Sequence, residues 1–172
     1  MLEINFLAIF VAALVPLVMG FIWYNPKTFG NAWMKESGLT EEKLKGSNMA
    51  MVFIVSIILS IMIGFFMQLV TIHQFGALGM VGGDNSLAKP SFAAFMADYG
   101  TAFRSFGHGA LHGFMTGIFF VFPLIAINAM FERKSWKYIF INTGYWTITI
   151  TIMGGIVCGW YAIDGFNLVT PK

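Results

Sequence analysis

The stretch MAMVFIVSIILSIMIGFFMQLVTI, residues 49–72, contains no Lys, Arg, Asp or Glu. The hydrocarbon core of a bilayer is roughly 30 Å thick, and a helix needs about 20 apolar residues to cross it. This stretch meets that length. Three others do too, at residues 4–24, 106–131 and 138–163, and each is free of charged side chains. A lipid-embedded backbone has to satisfy its own hydrogen bonds, and unbroken apolar runs of this length do so as helices. The chain is therefore expected to be all-α, an integral membrane bundle of four transmembrane helices forming a single domain over residues 1–172.

Composition agrees. Hydrophobic residues make up 58% of the chain and charged residues 10%, with a mean hydropathy of +0.75. A soluble domain carries roughly 25% charged residues. The formal net charge of +2 is scattered over loops and leaves no nucleic-acid footprint. Cys158 is the only cysteine, which excludes an intrachain disulfide and thiolate metal clusters. The chain opens Met1-Leu2-Glu3, without the basic region of a secretory signal. Phe21-Ile22-Trp23-Tyr24-Asn25-Pro26 is too bulky for a cleavage site, so residues 1–24 read as a retained first span.

The basic residues sort by loop. Lys27, Lys35, Lys43 and Lys45 lie between spans one and two, and Arg133, Lys134 and Lys137 between spans three and four. The opposite side holds only Lys89, Arg104 and Lys172. Basic loops stay in the cytoplasm, which puts loops one and three inside and both termini outside, in the periplasm for a bacterial inner membrane.

Within loop one, Asn25-Pro26 ends the first helix, because proline disfavours helix in the residue before it. Trp23, Tyr24, Phe29 and Trp33 cluster at this exit and read as headgroup-level aromatics. Thr40 followed by two acids is an N-cap pattern, predicting a short cytoplasmic helix over residues 41–45. Loop two, residues 73–105, is glycine-rich up to Gly83. After Pro90 it carries Phe92, Phe95, Met96, Tyr99 and Phe103 at spacings of three and four, which predicts an amphipathic helix at the outer interface.

Rows of small residues recur at intervals of four: Ser56, Ser60 and Gly64 with Gln68, then Gly109, Gly113 and Gly117, then Thr147, Thr151, Gly155 and Gly159. Each row occupies one helix face and suits close helix contact in lipid. Pro16 is expected to kink the first span. Asn128 and Asn142 are placed at similar depth, where they can hydrogen-bond across spans three and four.

Span three alone brings ionisable groups inward. Arg104, His108, His112 and Thr116 fall four apart and form a polar stripe. Ionisable groups inside a membrane usually face a bundle interior or a water-filled cavity. Two histidines one turn apart can also hold one metal ion, with His73 or Asp98 as further ligands. A metalloprotease pattern fails, because glycine follows the first histidine. A bis-histidine haem could use His73 with His108 or His112, without a C-x-x-C-H attachment motif. The plainest alternative is that the histidines only hydrogen-bond neighbouring helices.

Several motifs together resemble a known family of small membrane proteins. They are Trp23, Tyr24, Pro26, Phe29, Gly30 and Trp33 after the first span, then Phe131-Glu132-Arg133-Lys134, Asn142-Thr143-Gly144-Tyr145-Trp146, Met153-Gly154 and Trp160, with His108 and Gly109. This set is similar to the family catalogued as domain of unknown function 1761. The resemblance implies a four-helix bacterial inner-membrane protein and brings no activity or catalytic residue with it.

Three functional readings follow. The first is a non-enzymatic membrane protein, surrounded by lipid, that self-associates or supports another membrane complex. It rests on the small-residue rows and the lack of a catalytic set. The second is a small transporter or channel using the Arg104–His108–His112 stripe. The third is a metal or haem protein using His73, Asp98, His108 and His112. No cofactor is required by the sequence, and no nucleic-acid partner is expected.

Overall fold

The computed structural model describes residues 4–163. Met1-Leu2-Glu3 and Lys172, which entered the reading of the first span and of orientation, lie outside the described residues. Everything regular among the described residues is helical. Four helical segments are long and apolar enough to cross a membrane: Phe6–Trp23, Met49–Thr71, Phe106–Phe131 and Trp136–Trp160. Large apolar side chains such as Phe10, Phe21, Met62 and Phe119 point outward from them. This arrangement is compatible with a multi-pass membrane protein.

In chain order the helices are α1 (Phe6–Trp23), α2 (Gly30–Ser37), α3 (Glu41–Lys45), α4 (Met49–Thr71), α5 (His73–Met80), α6 (Pro90–Tyr99), α7 (Phe106–Thr116), α8 (Phe122–Phe131) and α9 (Trp136–Ile163). Asn5, Thr40, Asn48 and Ser105 cap α1, α3, α4 and α7 by accepting backbone N–H bonds, which satisfies donors that a helix start leaves open.

The third span is not one uniform helix. A π-turn over Gly117–Val121 joins α7 to α8. Pro123 follows at once, and proline has no N–H to give the preceding turn. A π-turn absorbs that irregularity without ending the span. Pro16, by contrast, sits buried within a continuous α1, and its carbonyl accepts the Tyr145 hydroxyl at 2.8 Å.

Helix α9 is the centre of the bundle and touches α1, α4 and α7. Ala12, Met67, Ile150, Met153 and Val157 form the main apolar core between α1, α4 and α9. The closest contact is α7 on α9. A methyl group added at Gly113 would meet the Ile150 carbonyl and lie 2.7 Å from Thr151 Cα. One at Gly109 would strike the Gly154 carbonyl and Cys158, and one at Gly117 would lie 2.7 Å from Thr147 Cγ2. From the other side, Gly155 and Gly159 meet Phe106. Gly64 of α4 meets Ile9 of α1, and Ser60 is buried in the same helix, with Ser56 half-buried. Thr151 donates to the Thr147 carbonyl at 2.6 Å. The small-residue rows thus serve contacts inside one chain.

At the α1 exit, the aromatic cluster docks on α9. Trp23 Nε1 donates to the Ile141 carbonyl at 3.0 Å, and the Tyr24 hydroxyl donates to Asn142 Oδ1 at 3.1 Å. Trp23 and Phe29 rings lie 4.4 Å apart, and Tyr24 and Trp33 rings 5.0 Å apart. The expected pairing of Asn128 with Asn142 does not form. Asn128 is exposed, and Asn142 bonds Tyr24 and the Tyr138 carbonyl. Helix α2 is an addition to the sequence reading. Its Glu36 accepts from Ser135 Oγ at 2.5 Å and lies 4.0 Å from Lys137, which ties loop one to the α8–α9 turn.

Substituting Gly113→Leu forces α7 away from α9 and should cost about 3 kcal/mol or more, since the clash is with backbone rather than a flexible side chain. Gly107 sits nearly two turns away with open space around its Cα, so Gly107→Ala should leave stability within about 0.5 kcal/mol. Thermal unfolding of both variants in the same detergent checks the contrast.

Candidate metal centre

Three histidines meet at the end of the bundle that also holds Asn5 and Cys158, opposite the Glu36–Ser135 contact. His108 and His112 lie one turn apart on α7, so both rings leave the same helix face. The Ser105 hydroxyl accepts from His108 N at 3.3 Å and fixes where α7 begins. His73 arrives from another element. Helix α4 stops at Thr71, whose hydroxyl turns back to the Met67 carbonyl at 2.8 Å. Ile72 is extended and buried, and His73 opens α5. The sequence reading treated residues 73–83 as a glycine-rich loop. The helix that forms there instead presents His73 toward α7.

The three rings make a nearly equilateral triangle, with centroids 4.5 Å apart for His108–His112, 4.9 Å for His73–His108 and 5.0 Å for His73–His112. One ligand nitrogen from each lies within 4.8 Å of the others. His73 and His108 share a hydrogen bond of 2.9 Å between their Nε2 atoms, one donating and the other accepting according to tautomer. Tetrahedral zinc bound through nitrogens at 2.0–2.1 Å needs those nitrogens roughly 3.3 Å apart. The His73 and His108 Nε2 atoms are already 2.9 Å apart. A haem iron between two axial histidines instead needs its ligand nitrogens far enough apart for a porphyrin plane between them, farther than the 2.9 Å between the Nε2 atoms of His73 and His108 in this structure.

The other residues singled out from sequence are placed as follows. Arg104 lies beside the cluster and its Nε donates to the Cys158 carbonyl at 3.4 Å. Thr116, the last member of the stripe, donates to the His112 carbonyl at 2.8 Å and so serves its own helix. Asp98 is exposed on α6 and is not brought into the histidine group.

Three residues that sequence reasoning did not single out for this site hold its frame. Cys158 is fully buried, and its thiol reaches the Thr71 carbonyl at 3.6 Å and the Phe103 carbonyl at 3.5 Å. Those two carbonyls belong to the segments leading into His73 and into α7. Gln74, next to His73 and 4% exposed, donates from Nε2 to the Tyr99 and Ala102 carbonyls, both at 2.9 Å. Phe103 was grouped with the apolar face of an α6 helix. It falls beyond the end of that helix, at φ 62°. A left-handed conformation costs a non-glycine residue about 1–2 kcal/mol. Here it lays the Phe103 ring 5.1 Å from His108 and 5.9 Å from His73. No periodicity marks Cys158 or Gln74, because each acts through contacts to two distant backbone carbonyls.

The fold and site together define an all-helical protein with four membrane-length helices and a three-histidine cluster at one end. The chain belongs to the family described as Protein of unknown function (DUF1761), whose model matches residues 7–158. A search of curated proteins and a search of solved structures each return no match.

Because Cys158 is sealed under Gly109 and the Phe103 carbonyl, it should resist maleimide in the folded protein and react fully after denaturation. Mass spectrometry before and after unfolding reads this directly.

Proposed function

We propose that this protein is a membrane-embedded divalent-metal-binding protein whose centre is His73, His108 and His112. The observation that carries the proposal is the convergence of three imidazole nitrogens within 4.8 Å from two separate helices. A histidine that serves only as a helix-to-helix hydrogen-bond donor needs one partner, not two other histidines. Imidazole ligands suit zinc, copper and nickel. The preference among the three sequence-based readings shifts accordingly. The small-residue rows that favoured self-association are occupied by contacts within the chain. The stripe that favoured transport ends at a Thr116 hydroxyl bonded to its own helix.

In this reading the chain spans the cell membrane four times, with lipid against its outward apolar faces. The basic loops, including α2, α3 and the α8–α9 turn, face the cytoplasm. Helices α5 and α6 lie on the outer side, α6 at the interface, and the metal centre sits at the outer end of the third span. Support comes from the sorting of Lys and Arg and from the position of the histidines at the end opposite the two basic loops.

After chelator treatment and dialysis, full-length protein in detergent should bind one Zn(II) per chain, measured by calorimetry and elemental analysis. Zinc at about 100 times its Kd should stabilise the fold by about 2.7 kcal/mol, visible as a higher Tm. His73→Ala, His108→Ala and His112→Ala should each weaken binding beyond the roughly 10–100-fold cost of losing an outer partner. Unchanged affinity in all three variants would reject the site.

Orientation is open to a separate check. Ser86→Cys should react with an impermeant maleimide on intact cells, and Ser47→Cys only after permeabilisation. The opposite pattern inverts the topology, and labelling of both from outside removes the span between them.

A further inference from the structure

We infer that the three-histidine centre keeps an exchangeable coordination position, open to the outer solution, that takes water, hydroxide or a small anion. This rests on the metal-binding reading. Structural zinc is closed by four protein ligands, whereas a reactive centre has three and holds water or substrate in the fourth place.

Among the described residues, His73, His108 and His112 are the full set of His, Cys, Asp and Glu side chains converging there. The neighbouring groups of the right chemistry are committed elsewhere. The Cys158 thiol is buried and bonded to the Thr71 and Phe103 carbonyls. The Tyr99 and Ala102 carbonyls accept from Gln74. Asp98 is exposed on α6, outside the group.

Access and charge point the same way. His73 is exposed, and His108 and His112 are half-buried, so protein does not seal the trio. The Phe103 ring closes one flank of His73 and His108, which leaves the exposed side of His73 as the approach. All three ligands are neutral imidazoles, so a divalent ion keeps its full charge. Under three neutral ligands, zinc-bound water ionises near pH 7, about two units below aqueous zinc. The natural occupant is therefore hydroxide or another small anion delivered from outside the membrane.

Cobalt(II) reports on this position. Full-length protein in detergent is loaded with Co(II) in place of zinc, and its visible d–d absorption is followed while sodium azide is added. A saturable change with one azide per cobalt is expected, and apoprotein should show none. Cobalt bound one per chain with a spectrum indifferent to azide overturns the open position while leaving the metal site standing. The same indifference in a particle of two chains would mean that a second copy closes the site, and it also overturns the inference. Failure to bind Co(II) or Zn(II) at all rejects the metal reading itself.

Discussion

The close approach of α7 to α9 is the contact on which the rest depends. Gly109 and Gly113 of α7 lie against backbone of α9, and Gly117 of the π-turn lies against Thr147, with no room for a methyl group at any of them. In lipid, apolar side chains gain little by leaving the acyl chains, so helices hold together by close fit and polar bonds. A helix brought this near can set its neighbouring face with little play. The face of α7 adjoining the glycine row carries His108 and His112. Their depth and direction are thus consequences of Gly109 and Gly113.

The third histidine depends on a second device, the thiol of Cys158. It lies on α9 directly beneath Gly109 and reaches carbonyls on two incoming segments. One leads from α4 into His73, and the other leads from α6 into α7. Gln74 adds a bond between α5 and the turn after α6, and Arg104 adds one to the Cys158 carbonyl. Together these bonds hold the Phe103 backbone in a conformation that it would not adopt alone. A metal centre assembled from two helices needs such outer support, because ligand rings left free to rotate bind weakly.

Much of this was legible in the residues. Length and lack of charge located four helices long and apolar enough to cross a membrane, and the i, i+4 spacing put His108 and His112 on one face. Gly109, Gly113 and Gly117, which the spacing of four set on one face, lie where α9 comes close. His73 was named as a partner because loop two falls on the same side as the start of the third span, not because anything in the sequence set its direction. That direction comes from the break at Ile72 and the short α5, both hidden by a glycine content that reads as loop. Asp98 shares the right loop, but α6 holds it away. Phe103 fits the helical spacing of its neighbours, and only the turn after Tyr99 removes it from that helix. The bond from Gln74 and those from Cys158 span chain separations that local pattern does not encode. Helix α2 was missed because its own sequence is weakly apolar, and it is held by Glu36 and Ser37 against the α8–α9 turn.

X-ray absorption at the metal edge of the zinc-loaded protein tests the central claim most directly. The account predicts three imidazole nitrogens at about 2.0–2.1 Å and one further light atom. Fewer than three imidazoles in the first shell, or a sulfur at about 2.3 Å, would contradict it.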